Sequence, residues 1–103
     1  MLLALTSLGN AFAASADPAS CQSVRLSDVG WTAESATTAI LGQILSELGY
    51  RHTITVLSVP VTFEAMRNGD IDAFLGNWLP AQEHMLQPFL DDASVQPVKV
   101  NLH

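Results

Sequence analysis

Polar and apolar residues alternate over 23–29 and the run stops at Gly30, which predicts a first strand. The period then changes. Within 33–48 the apolar positions Ala36, Ala39, Ile40, Ile44 and Leu48 recur at three- and four-residue steps, predicting a helix capped by Thr32 or Ser35 and stopped by Gly49. Thr53-Ile54-Thr55-Val56-Leu57 is rich in β-branched residues and predicts a second strand running into the loop Ser58-Val59-Pro60. A short helix over 61–68 closes at Gly69, and a third strand over 71–75 ends at Gly76-Asn77-Trp78. Beyond Pro80 the pattern predicts a helix over 81–90 with Pro88 near its end, a loop over 91–94 and the start of a further strand over 98–102.

Strands alternating with helices of this length imply an α/β fold of parallel β-α-β-α-β units. Ligands of such sheets bind beyond the carboxyl ends of the strands. Three turns share that edge: Gly30-Trp31-Thr32, Ser58-Val59-Pro60-Val61 and Gly76-Asn77-Trp78. Both tryptophans of the chain lie there. An indole used only for packing belongs on the inward face of a strand or helix, whereas two on neighbouring turns can wall an aromatic box. Such a box suits a cation that donates no hydrogen bond, because a quaternary ammonium spreads its charge over methyl groups that π-faces both attract and bury. Trp31 and Trp78 are the candidate walls, with packing open to each as the alternative role. Thr32 and Asn77 flank them as candidate polar contacts, and Ser58 and Thr62 are candidates from the second turn. Turn and helix-cap roles are open to all four.

Composition narrows the partners. With 103 residues the chain holds at most one small domain, and a net charge of −6 leaves no basic stripe for nucleic acid. Anionic membrane surfaces are disfavoured for the same reason. Residues 1–16 read as a signal peptide: an apolar run from Met1, then small residues in which Ala11-Phe12-Ala13 and Ala14-Ser15-Ala16 both satisfy an A-x-A cleavage pattern. The basic n-region is missing, and the apolar run is far shorter than the ~20 residues that cross a bilayer. The expectation is an exported, periplasmic body over 17–103 with no membrane insertion after cleavage. All charged side chains lie in that body. Its lone cysteine, Cys21, is a free thiol or has its partner outside this chain.

Enzymatic signals are weak. His52, His84 and His103 are too dispersed for a zinc motif, and Glu83-His84 lacks the second histidine of a zincin helix, so solvated surface is the expectation. Capping and solvation account for Asp70 and Asp72. There is no G-x-S-x-G elbow and no phosphate-cradling glycine loop. No catalytic residue, metal ligand or cofactor is assigned. Two alternatives to a binding module stay open: a small exported hydrolase using Asp28 or Asp72 with a histidine, and a fragment without independent activity.

The strings Val24-Arg25-Leu26-Ser27-Asp28-Val29-Gly30-Trp31-Thr32, Leu57-Ser58-Val59-Pro60-Val61-Thr62 and Asp70-Ile71-Asp72-Ala73-Phe74-Leu75-Gly76-Asn77-Trp78-Leu79-Pro80 resemble the choline and glycine-betaine substrate-binding proteins of bacterial ABC importers. The resemblance runs from about Cys21 to His103 and covers the N-terminal third of that family. It implies a two-lobed periplasmic-binding-protein fold that closes on its ligand by a hinge, with residues 17–103 forming part of the N-terminal lobe. It also implies a small quaternary ammonium ligand boxed by Trp31 and Trp78, and as partners an inner-membrane ABC permease with its ATPase. Two features depart from the family. Choline-binding relatives often carry an acidic residue two positions after the first tryptophan, where this chain has Ala33, with Glu34 one place later. The second lobe, and any disulfide partner for Cys21, lie outside the stretch that matches.

Overall fold

The computed structural model describes residues 17–101; the signal-peptide reading of 1–16 lies outside the described residues, as do Leu102 and His103. After a short 3-10 turn at Ala19–Cys21 come β1 (Ser23–Asp28), α1 (Thr32–Glu47), β2 (Arg51–Val56), α2 (Val59–Arg67), β3 (Ala73–Phe74) and α3 (Glu83–Asp91). The strands form a parallel sheet in the order β2-β1-β3. In register, Leu26 lies beside Ile54 on one side and Ala73 on the other. The α/β architecture of parallel units expected from the sequence is the one that forms.

Several boundaries move for local reasons. Ser58 is the N-cap of α2 and accepts a hydrogen bond from the Val61 N–H, so the helix starts at Val59, earlier than expected. Pro60 fits there because the first turn of a helix has no intrahelical use for its missing N–H. Neither Thr32 nor Ser35 caps α1: Trp31 occupies the N-cap position without a side-chain bond, and the Ser35 hydroxyl donates to Asp28 Oδ1 at 2.8 Å. The third strand contracts to two paired residues. The strand expected to start over 98–102 does not form among the described residues, since 95–101 has no regular structure and Val98 and Val100 are exposed. β-propensity there finds no ladder to join, because β3 offers only Ala73 and Phe74 as a strand. One bond, from Asn101 Nδ2 to the Leu75 carbonyl at 3.2 Å, tethers the segment.

β1 is the central strand and both its faces are covered, so Leu26, Ser27 and Asp28 are all buried despite their alternating polarity. On one face the Ser27 and Thr62 hydroxyls bond at 2.6 Å beside a core of Val59, Phe63, Leu86 and Phe89. Phe63 anchors that core, edge-on to Phe74 at 5.9 Å and tilted against Phe89 at 5.5 Å. On the other face lies α1.

The helix α1 turns a different side to the sheet from the one its periodicity predicts. Glu34, Thr38 and Gly42 are its buried residues, while Ile40, Ile44 and Leu48 are 61%, 50% and 68% exposed and Ala36 and Ala39 are exposed too. The reason is steric. The His52 ring on β2 sits so close to Gly42 that a Cβ there would meet Nε2 at 2.6 Å, so the helix approaches the strand through its smallest residue. This contact also corrects the expectation of a solvated His52, which is half-buried with Nδ1 3.0 Å from the Ser46 hydroxyl. His84 is exposed, as expected, and His103 lies outside the described residues. Cys21 is exposed and free.

Candidate functional site

The carboxyl ends of β1 and β3 carry the two turns that bear the tryptophans. After β1 the chain reverses through Gly30 at φ +84°, a left-handed conformation that L side chains rarely adopt, and presents Trp31. After β3, Gly76 and Asn77 lead to Trp78. Because β1 and β3 are parallel neighbours, the turns are adjacent, and the indole centroids stand 5.6 Å apart with planes inclined at 73°. Trp31 is 44% and Trp78 52% exposed. These rings form a corner at the surface rather than part of the core.

The flanking polar residues divide. Asn77 lies with Trp78 on a groove of about 980 Å³ that runs between the start of α1, the end of β3 and the segment 95–101. Its Oδ1 is buried without a hydrogen-bond partner. Thr32 is exposed at the first turn of α1 and does not line that groove. From the second turn, Ser58 serves as a helix cap and Thr62 as a buried partner of Ser27, which gives both structural roles.

Beneath the corner lies a pair of carboxyl groups. Asp28, at the end of β1, accepts hydrogen bonds from the Gly30 N–H at 2.6 Å and the Ser35 hydroxyl at 2.8 Å. Glu34, 2% exposed, accepts from the Val29 N–H at 3.1 Å and the Thr38 hydroxyl at 2.8 Å. Burial and the hydrogen bond to Asp28 push the Glu34 carboxyl above its ordinary range, against the opposing pull of Thr38 and the Val29 N–H. Burial acts on Asp28 in the same sense, but its bonds from Gly30, Glu34 and Ser35 outweigh it and hold that carboxyl below the ordinary range. The pair therefore keeps one proton, on Glu34, over a span of pH in which Asp28 is ionised. A fixed negative charge sits behind the turn that carries Trp31.

Glu34 is the residue whose place the sequence hides. A carboxylate in the first turn of a helix ordinarily complements the positive end of the helix dipole in solvent. The available signal is its i,i+4 spacing to Thr38, with Gly76 downstream as the small residue that makes room for it.

The other acidic candidates are accounted for. Asp72 forms a two-pronged ion pair with Arg25, bonded at 3.0 Å to Nε and 2.9 Å to Nη2. Asp28 bonds to the turn and to α1. Neither engages a histidine in these bonds. Among the described residues there is no cluster of potential metal ligands, and no helix is long and apolar enough to cross a membrane.

The chain and its fold match proteins of one class. A model of the substrate binding domain of ABC-type glycine betaine transport systems matches residues 22–101, and the chain belongs to that family. A Chromohalobacter salexigens protein described as uncharacterized protein ORF1 is 39% identical over 82 residues, which cover 80% of this chain and 53% of that one. A solved ABC-transporter choline binding protein in complex with choline is 52% identical, with a TM-score of 0.74, over 75% of this chain and 27% of that chain. An unliganded semi-closed form of an ABC-transporter choline binding protein gives 52% identity and a TM-score of 0.71, over 78% and 28%. The chain thus spans about half the length of the curated relative and little more than a quarter of the solved proteins. The three parallel strands and their helices correspond to part of one lobe of a periplasmic-binding-protein fold. The descriptions of the family and of the solved proteins are of binding components of ABC-type transport systems.

Proposed function

We propose that the chain supplies one wall of a quaternary ammonium site in the substrate-binding component of an ABC importer, with glycine betaine or choline as the ligand class. The observation that carries this reading is the Trp31–Trp78 corner, two exposed indoles held 5.6 Å apart on adjacent turns. Inclined planes offer π-faces in two directions around one point, the arrangement a rounded trimethylammonium group needs. The ionised Asp28 behind the Trp31 turn adds a favourable field for a cation. Asn77, with an unpartnered buried Oδ1, supports a polar contact next to Trp78, whereas Thr32 is a contact only for a ligand that extends over the start of α1.

The module captures ligand without covalent chemistry, and the partners of this reading are a membrane permease and its ATPase. Export by the segment 1–16 and a periplasmic location complete the proposal. Ala33 bears on the ligand: with no carboxylate there, attraction for choline is weaker and repulsion of a betaine carboxylate is removed.

Isothermal titration with choline, glycine betaine and the uncharged carbon isostere of choline tests the site. Trp78→Ala is expected to cost about 2 kcal/mol of cation binding, the size of one desolvated cation–π contact, or about 30-fold in affinity. Tryptophan fluorescence should be quenched by the cations and not by the isostere. Equal affinity for choline and its neutral isostere, or an unchanged affinity in Trp78→Ala, refutes the aromatic site.

A further inference from the structure

We propose that Glu34 is a positioning residue for the tryptophan corner, clamping the turn that carries Trp31 against the turn that carries Trp78 by sharing one proton with Asp28. Two contacts on opposite sides of the side chain carry this. Toward the first turn, Glu34 Oε2 accepts the Val29 N–H at 3.1 Å, while Asp28 accepts the Gly30 N–H at 2.6 Å, so the two carboxyls hold successive amides just ahead of Trp31. Toward the second turn, Glu34 Cγ lies where it would be only 2.7 Å from a Cβ built on Gly76, two residues before Trp78. The aliphatic stem of Glu34 is thus packed directly on the backbone of the Trp78 turn. That turn is itself anchored, because Gln82 Nε2 donates to the Gly76 carbonyl at 2.9 Å.

With the proton present, Glu34 donates to the Asp28 carboxylate and the clamp is closed. Without it, two negative charges face each other in a buried setting, and the least costly relief is separation of the elements that carry them. Those elements are the end of β1 and the first turn of α1, and Trp31 lies on the chain between them. Other groups facing Glu34 do not replace this coupling. Ser35 and Thr38 on its own helix are neutral, and Phe63, Met66 and Leu86 reach the shared groove from α2 and α3 without titrating. Asp72 on the same groove is held by Arg25, and Lys99 lines it from the segment 95–101. Among the groups that act on the Glu34 carboxyl, Asp28 is the one that carries a charge.

The inference relies on the proposed cation site only for its ligand readout, so its primary test uses no ligand. Two tryptophans in edge contact, the only two of the chain, give an exciton couplet in circular dichroism whose amplitude reports their separation and angle. In the full chain the wild-type couplet should be strong where Glu34 is protonated and Asp28 ionised, and lose amplitude as pH rises through the Glu34 titration. Glu34→Gln, which keeps a neutral donor toward Asp28, should hold the acid-side amplitude throughout. Glu34→Ala should show a weak couplet at every pH. If wild type and Glu34→Gln follow the same pH curve, or if Glu34→Ala keeps the full couplet, the inference is overturned. Should Glu34→Ala fail to fold, the comparison of wild type with Glu34→Gln decides alone. Choline titrations run alongside should show wild-type affinity falling with the couplet as pH rises and Glu34→Gln affinity independent of pH. A pH-dependent couplet without choline binding upholds the clamp and overturns the quaternary ammonium site.

Discussion

Gly76→Ala is a direct probe of how tightly the two tryptophan-bearing turns are packed. The added Cβ would lie 2.7 Å from Glu34 Cγ, 2.8 Å from Phe74 Cε2 and 3.0 Å from Phe74 Cζ. None of these neighbours is a free end. Glu34 is pinned by the Val29 amide and the Thr38 hydroxyl, and the Phe74 ring packs edge-on against Phe63, which is 1% exposed. The methyl therefore displaces either a hydrogen-bonded carboxyl or an aromatic ring of the core, and overpacking of this kind costs ~1–3 kcal/mol. Urea unfolding followed by circular dichroism measures that cost. A double-mutant cycle assigns it: truncating the neighbour in Glu34→Ala should relieve part of the clash, giving a favourable coupling of roughly 0.5–3 kcal/mol between the two positions. A loss below ~0.5 kcal/mol for Gly76→Ala, the range of ordinary surface substitutions, refutes the close packing. Additive single effects refute the assignment of the clash to Glu34.

Two other expectations follow from features that sequence periodicity conceals. Ile44, half exposed on the outer side of α1, should tolerate Ile44→Ser within about 0.5 kcal/mol in the same unfolding assay, as a surface position does; a loss of core size shows that the helix is rotated from the orientation described. Asp72→Asn should flatten the acid limb of the stability curve. The hydrogen bonds from the Arg25 side chain hold the Asp72 carboxyl below the usual carboxylate range, so its stabilising contribution is fully present above the ordinary aspartate pKa and is lost as pH falls through the depressed one. An unaltered acid limb in Asp72→Asn refutes this role for the pair.

Glu34 acts on the curve in the opposite sense. Its carboxyl is raised in the folded state, so the native protein binds more protons than the unfolded chain above the ordinary glutamate range, and stability declines as pH rises through the raised pKa. Asp28, lowered in the folded state, contributes stability above the ordinary aspartate pKa that is lost toward acid. One proton shared by the pair is the state in which both conditions are met. The same protonation state that favours folding holds the clamp on the tryptophan corner closed.

Local pattern alone determined much about this protein. The first strand from Ser23, the second strand, which begins two residues ahead of its β-branched run, the long helix between them, and the placement of both tryptophans after strands on one edge are legible because they rest on nearest-neighbour physics. Alternation, helical period and glycine stops leave their mark on short windows of sequence. The resemblance of the Asp70–Pro80 string to one family was equally legible, and the comparisons bear it out.

Contacts between distant residues decided the rest. The face that α1 buries depends on His52 meeting Gly42 across the helix–strand interface, a fit between positions ten apart that overrides the stripe of Ile40, Ile44 and Leu48. The β-branched segment 95–101 stays irregular because a strand exists only where a partner ladder accepts it. The 5.6 Å spacing of Trp31 and Trp78 arises from the parallel pairing of β1 with β3, residues more than forty positions apart. Glu34 shows the difference most sharply. As a residue type it is a charged group on a helix; only tertiary packing, which places Asp28 on one side of it and Gly76 on the other, turns it into a buried acid with a proton to share.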